Sequence, residues 1–176
     1  VFLNSHFEAN PSLGRGSTPH DTAAALGLVY LAKALKEQEM KWQPYLEAAK
    51  KNLDKYHLER LYDPSTKLFF QYIYDPQHLH VPNKIATLIQ LLIAMASMTN
   101  DKRYLDYIQP NADYILELQN KDEMTGGIYQ TEKRDRIITF YTARCIPALL
   151  EVYNLTKKKK YLEGARAAGK FLVNMR

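Results

Sequence analysis

Apolar residues recur along this chain with the period of a helix in six segments, and the segments alternate in character. The first opens at Thr18, a residue suited to capping, with Pro19 at the first helical position and Asp21 where a capping-box acid belongs. Leu26, Val29, Tyr30 and Leu35 then carry the period to about Glu39. Trp42 and Pro44 mark a turn, and the second helix is expected from Tyr45 to Glu59. The third starts near Pro82, with Ile85, Leu88, Ile89, Leu92, Met95 and Ala96 along one face. The fourth is expected over Tyr104 to Gln119, the fifth over Arg136 to Leu155 with a kink at Pro147, and the sixth over Tyr161 to Val173. The odd-numbered helices are apolar around much of their circumference and should form an inner layer. The even-numbered ones carry more Lys, Glu and Asp and should lie outside.

Two short extended runs interrupt the helices. Leu68 to Tyr74 follows the turn Asp63-Pro64-Ser65-Thr66-Lys67, and Ile128 to Thr131 follows the breaker Thr125-Gly126-Gly127. Each leads from an outer helix into an inner one. A repeat underlies this order. Tyr45-Leu46-Glu47, Tyr104-Leu105-Asp106 and Tyr161-Leu162-Glu163 stand 59 and then 57 residues apart, each at the start of an outer helix. Asn52 and Asn111 share an offset after the first two copies, where the third has Ala168. A period of this length is one helix pair, so the chain reads as all-α, three helical hairpins packed side by side. The loops joining such hairpins gather at one end, where a ligand site would be built.

Composition narrows the classes. The 176 residues, 46% hydrophobic and 24% charged, make one domain with a core of its own. The longest apolar run, Ile85 to Met98, is broken by Thr87, Gln90 and Ser97, so no membrane span is expected. The single cysteine, Cys145, excludes an internal disulfide and a cysteine-based metal cluster. The net charge of +5 favours an anionic partner, but much of it sits in Lys157 to Lys160, which reads as a solvated turn and not as a nucleic-acid patch. The sequence starts at Val1, as it would after removal of a signal peptide (hence a periplasmic or secreted protein) or as a piece of a longer chain.

Aligning the second and third repeats at an offset of 57 sets Tyr72 on Tyr129, Asp75 on Glu132, Lys84 on Tyr141 and Thr87 on Arg144. Gln71-Tyr72 and Tyr129-Gln130 therefore occupy equivalent connections. An aromatic face that stacks on a pyranose and an amide that pairs with hydroxyls suit a sugar; the same tyrosines would also seal a hairpin end. Lys84 lies just inside the third helix beside Asn83, and Tyr141 and Arg144 share a face of the fifth. A cation between Ala143 and Cys145 requires an acid partner such as Glu151, or a wet cavity. His78 and His80 are expected to face solvent. Asp21 is accounted for by capping, and Asp75, Glu132 and Asp135 by loop exposure. No metal site, Walker motif, HExxH or Gly-x-Ser-x-Gly is present, and the sequence names no cofactor.

The segments Asn83-Lys84-Ile85-Ala86-Thr87, Gly126-Gly127-Ile128-Tyr129-Gln130 and Ile138-Thr139-Phe140, in this order, resemble the α/α-toroid carbohydrate-active enzymes. Their spacing is similar to that of the all-α pectate lyases, over about residues 80 to 176. Asn83-Lys84 replaces that family's acid-amide pair, and Tyr141-Thr142 stands where it has Asn-Asp. The resemblance implies a compact or incomplete α/α toroid acting on an acidic polysaccharide, by β-elimination next to a uronic acid. Arg144 or Lys84 would serve as base or neutraliser and Tyr141 as the proton donor, with Gln71, Tyr72, Asn83, Tyr129 and Gln130 as the sugar platform. Other α/α toroids with a double glycine imply a glycoside hydrolase or sugar epimerase instead. A third reading is a non-catalytic helical scaffold whose concave face holds a protein.

Overall fold

The computed structural model describes residues 18–71, 79–122 and 125–175, with residues 18–21 described in backbone only. Asp75, His78, Tyr72 and the side chains of the expected first cap lie outside the described residues. Helix α1 spans Thr18–Glu37 and α2 Gln43–Asn52, the latter running on as a π-helix over Leu53–Leu61. A two-residue ribbon follows, β1 Tyr62–Asp63 paired antiparallel with β2 Leu68–Phe69. Then come α3 Pro82–Thr99, a 3₁₀ turn Lys102–Tyr107 leading into α4 Ile108–Glu117, α5 Thr139–Thr156 and α6 Lys159–Asn174. The all-α hairpin architecture is as expected. The differences are local: the second and fourth helices each contain a segment of other pitch, and among the described residues the extended runs hold β2 and two isolated bridges, Gln119 with Ile128 and Tyr129 with Ile137.

The layers follow the apolar pattern. Helix α3 packs between α1 and α5, while α2, α4 and α6 pack behind them. Every residue of α3 from Pro82 to Ile89 is buried, Asn83, Lys84 and Thr87 among them. The outer helices bury one stripe each, such as Tyr161, Ala165, Ala168 and Phe171 on α6.

The inner-to-outer turns repeat atom for atom. Thr99 Oγ1 donates to the Met95 carbonyl and accepts the Asp101 amide, and Thr156 Oγ1 does the same with Val152 and Lys158. The residues between, Asn100 and Lys157, both take φ 58°. Asn tolerates this left-handed region; Lys adopts it because the turn around it is fixed.

Each repeat tyrosine is the third residue of its helical element, and two of them staple hairpin to hairpin. Tyr104 donates its hydroxyl to Asp54 at 2.8 Å, and Tyr161 donates to Asp113 at 2.7 Å. Both phenols are pushed up by burial and by the accepting carboxylate. Tyr45, at the same place in the first outer helix, is 39% exposed.

His57 ties α1 to the π segment. It is fully buried, with Nδ1 3.5 Å from the Asn52 carbonyl and Nε2 3.0 Å from the Thr22 hydroxyl. The tautomer that fits donates from Nδ1 and accepts the Thr22 proton at Nε2. Burial lowers its pKa to about 4.

A folded pKa below the unfolded one means that the stabilisation is complete above about pH 6.5 and is lost as the pH falls through about 4. Urea unfolding should therefore report a loss of about 3 kcal/mol between pH 7 and pH 4 from this residue. The His57→Leu variant should lack that portion of the acid slope. An equal slope in both proteins would remove His57 as its cause.

Candidate functional site

Two connections carry the chain from an outer to an inner helix, and they meet at the N-terminal ends of α3 and α5. The first is built on Asp63, whose carboxylate accepts the Ser65 amide and hydroxyl and the Thr66 hydroxyl. The Ser65 bonds hold its pKa down to about 2. The ribbon packs through Phe69 against Tyr62 and Tyr107. A backbone bond of 2.9 Å from the Gln71 amide to the Leu79 carbonyl then joins the flanks of residues 72–78 and delivers His80 to the start of α3.

The second connection turns on Gly126 and Gly127. Gly126 has φ 96°, and a Cβ there would lie 2.1 Å from the Ala167 carbonyl oxygen of α6. A Cβ on Gly127 would press on Ile137 and Phe171. The double glycine thus exists because α6 passes directly beneath the turn. The Asn120 amide donates to the Gly127 carbonyl, and Asn120 Nδ2 donates to the Tyr129 hydroxyl at 2.6 Å. The Ile128 amide donates to Thr142 Oγ1, locking the turn onto α5.

His80 and Glu132 join the two connections. His80 is buried, stacked on Phe70 at 5.1 Å and edge-on to Tyr114 at 5.9 Å. Its Nδ1 lies 3.4 Å from one oxygen of Glu132. The Tyr114 hydroxyl lies 3.0 Å from the other Glu132 oxygen and 2.9 Å from the His80 carbonyl. Burial, with the Glu132 charge next, drives the Tyr114 phenol well up. The expectation of a solvent-facing His80 is therefore corrected: the ring fills the space between Phe70 and Tyr114. Glu132 is an exposed loop residue, as expected, yet its carboxylate holds two buried partners.

The residues singled out from the sequence fall into three groups. Asn83, Lys84 and Thr87 lie in the buried first turns of α3, and Arg144 Nη2 on α5 donates to Thr87 Oγ1 at 2.9 Å. Thr87 Oγ1 itself donates to the Asn83 carbonyl at 3.2 Å. Arg144 is half-buried and makes no ion pair with a described carboxylate; Glu151 accepts instead from Gln90 at 2.8 Å. Tyr141 is half-buried in the first turn of α5, 6.2 Å from the ring of Phe140, which is 62% exposed. Tyr129 and Gln130 belong to the ladder of the second connection, the first through Asn120 and the second through its amide on the Arg136 carbonyl. Gln71 is half-buried beside Leu79, and Tyr72 lies outside the described residues.

The end of the domain thus combines a lysine and an arginine on adjacent inner helices, a histidine beside a carboxylate, an amide, and the exposed Phe140 next to the half-buried Tyr141. A separate groove of about 360 Å³, lined by Tyr30, Lys33, Ile93, Met98, Glu151 and Leu155 among others, opens at the C-terminal ends of the same helices. Among the described residues, no group of three or more His, Cys, Asp or Glu is placed to hold a metal ion, and no helix is long and apolar enough to cross a membrane.

No protein-family profile and no curated protein sequence matches the chain. Solved structures do, and they identify the fold as an α/α toroid. A GH76 α-mannanase of Bacteroides thetaiotaomicron superposes with a TM-score of 0.70 at 18% identity, over 91% of this chain and 42% of its own. The cellobiose 2-epimerase of Spirochaeta thermophila gives 0.67 at 17% identity, over 88% and 42%. A possible GH105-family member from Salmonella enterica gives 0.70 at 14% identity, over 92% and 44%. The chain spans less than half the length of these structures.

Replacing Gly126 by Ala should force the turn off α6, since both the left-handed φ and the Ala167 carbonyl oppose a Cβ. A loss of about 3 kcal/mol in urea unfolding is expected. A neutral result would show that the turn moves freely away from α6.

Proposed function

We propose that this chain is a carbohydrate-processing half-toroid whose sugar site lies at the N-terminal ends of α3 and α5. The observation that carries this is the placement of Arg144. It is a half-buried cation whose hydrogen bond goes to a threonine hydroxyl, with no described carboxylate as ion-pair partner. A structural arginine on an inner helix normally has its charge matched by an acid. One that has only Thr87 keeps the rest of its fork for an anion.

The structural neighbours are sugar hydrolases and an epimerase, which supports a carbohydrate substrate and favours hydrolysis or epimerisation over β-elimination as the reaction class. The acidic character of the sugar rests on Lys84 and Arg144. A uronic carboxylate against Arg144 would be neutralised there, while Phe140 and Tyr141 offer ring faces at the rim. Hydrolysis by the usual pair of carboxylates needs a second acid besides Glu132, because the Glu132 carboxylate is shared between His80 and Tyr114.

Calorimetric titration with galacturonate oligosaccharides, methyl α-mannoside and cellobiose separates the readings. Binding of the acidic oligosaccharide is expected, and Arg144→Ala should abolish it. The same substitution should cost only about 1 kcal/mol of stability, the worth of one hydrogen bond, against the 3–5 kcal/mol of a broken buried ion pair. Binding of the neutral sugars alone would retain a carbohydrate site and remove its acidic specificity. No sugar binding, with a large fall in melting temperature in Arg144→Ala, would leave the protein-binding scaffold.

A further inference from the structure

His80 and Asn83 stand three residues apart at the entrance to α3, 8% and 5% exposed, and each has a buried polar atom without a hydrogen-bond partner among the described residues. The atoms are His80 Nε2 and Asn83 Oδ1. Buried polar atoms in native proteins are nearly always satisfied, and one left bare costs about 1–3 kcal/mol. Asn52 and Asn111 are also short of partners. They lie in the outer helices α2 and α4, and Asn111 spends its amide nitrogen on the Lys67 and Tyr107 carbonyls. His80 and Asn83 alone fall where the two connections meet.

The chemistry of the pair is set by its surroundings. A carboxylate can only accept, so Glu132 beside Nδ1 places the proton on that nitrogen. In the neutral ring, Nε2 then carries a lone pair and accepts. Asn83 Oδ1 is an acceptor too. Two acceptors call for two donors. A metal ion would also suit them, but among the described residues no group of three His, Cys, Asp or Glu stands there to hold one, and the guanidinium of Arg144 reaches Thr87 one turn on. Uncharged hydroxyls fit this field. The cluster meets solvent through the Glu132 side chain, 41% exposed, and the 10% of the His80 side chain that remains open.

We infer that His80 Nε2 and Asn83 Oδ1 form a paired acceptor for two hydroxyl groups of the bound sugar, with Glu132 as the residue that fixes the imidazole tautomer. The inference deepens the carbohydrate reading and rests on it. His80 becomes a substrate-binding residue, and Glu132 and Tyr114 become positioning residues.

The test begins on the parent protein labelled with ¹⁵N at histidine. Long-range ¹H–¹⁵N spectra should find His80 protonated at Nδ1 and bare at Nε2; the opposite tautomer would overturn the inference by itself. Titration with galacturonate oligosaccharide, methyl α-mannoside and cellobiose should then shift the Nε2 resonance in a saturable way. His80→Asn keeps a donor toward Glu132 and deletes the Nε2 end, while Asn83→Leu removes the second acceptor. Each should weaken affinity about tenfold to hundredfold, with the unfolding midpoint within a few degrees of the parent. Glu132→Gln should mix the tautomers and weaken binding less. A parent that binds a sugar with no shift at His80, or variants that bind it undiminished, would overturn the paired acceptor and leave the carbohydrate site standing. A parent that binds none of the three sugars would overturn both.

Discussion

A tyrosine hydroxyl donated from one hairpin to an aspartate of the one before it fixes how these hairpins are stacked. Tyr104 on Asp54 and Tyr161 on Asp113 make the same bond at two successive junctions. The donor is the third residue of its helical element, so its height is set by the turn that precedes it. The acceptor lies nine residues beyond the previous repeat's tyrosine. Tyr104 and Tyr161 are almost wholly buried, and their rings fill the junction while the hydroxyl finds its partner at the edge. A slip of one residue would bury a phenol without an acceptor. The register of outer on inner helices, and with it the placing of the two connections, follows from this constraint.

That constraint was legible in the sequence because it is local and repeated. Tyr-Leu-acid marks the start of each outer helix, and Thr99 and Thr156 mark the turns before the second and third. The apolar period likewise separates inner from outer helices, since α3, packed between α1 and α5, buries most of its first half. The Gly126-Gly127 break was also plain. Its cause was not, because the carbonyl that excludes a side chain belongs to Ala167, about forty residues further on.

The His80–Glu132 pair was invisible for a different reason. Its members are 52 residues apart, and they do not map onto each other in the repeat. At the 57-residue offset His80 falls on Ile137, and Glu132 falls on Asp75. The His80–Glu132 contact is built by breaking the symmetry that announces the fold. Arg144 and Thr87 share an offset and touch, yet one is a cation and the other a hydroxyl. A repeat reading predicts that two positions are equivalent; it cannot predict that they have diverged into donor and acceptor for each other.

The polarity of the ring completes the argument. Because each outer helix returns the chain to the same end, α1, α3 and α5 run parallel and their N-termini gather there. The amides of their first turns and their aligned dipoles make that end favourable to negative or electron-rich groups. Lys84 in the first turn of α3 and Arg144 in the second turn of α5 stand in this field. The opposite end has the reverse bias, and Glu151 there raises the Tyr30 phenol further than burial does alone. A sugar ring presented to the N-terminal end would meet cations suited to a carboxylate and acceptors suited to its hydroxyls. An uncharged polyol would meet only the second set. On the proposed reading, the acceptors would define the class of ligand and the cations would decide among its members.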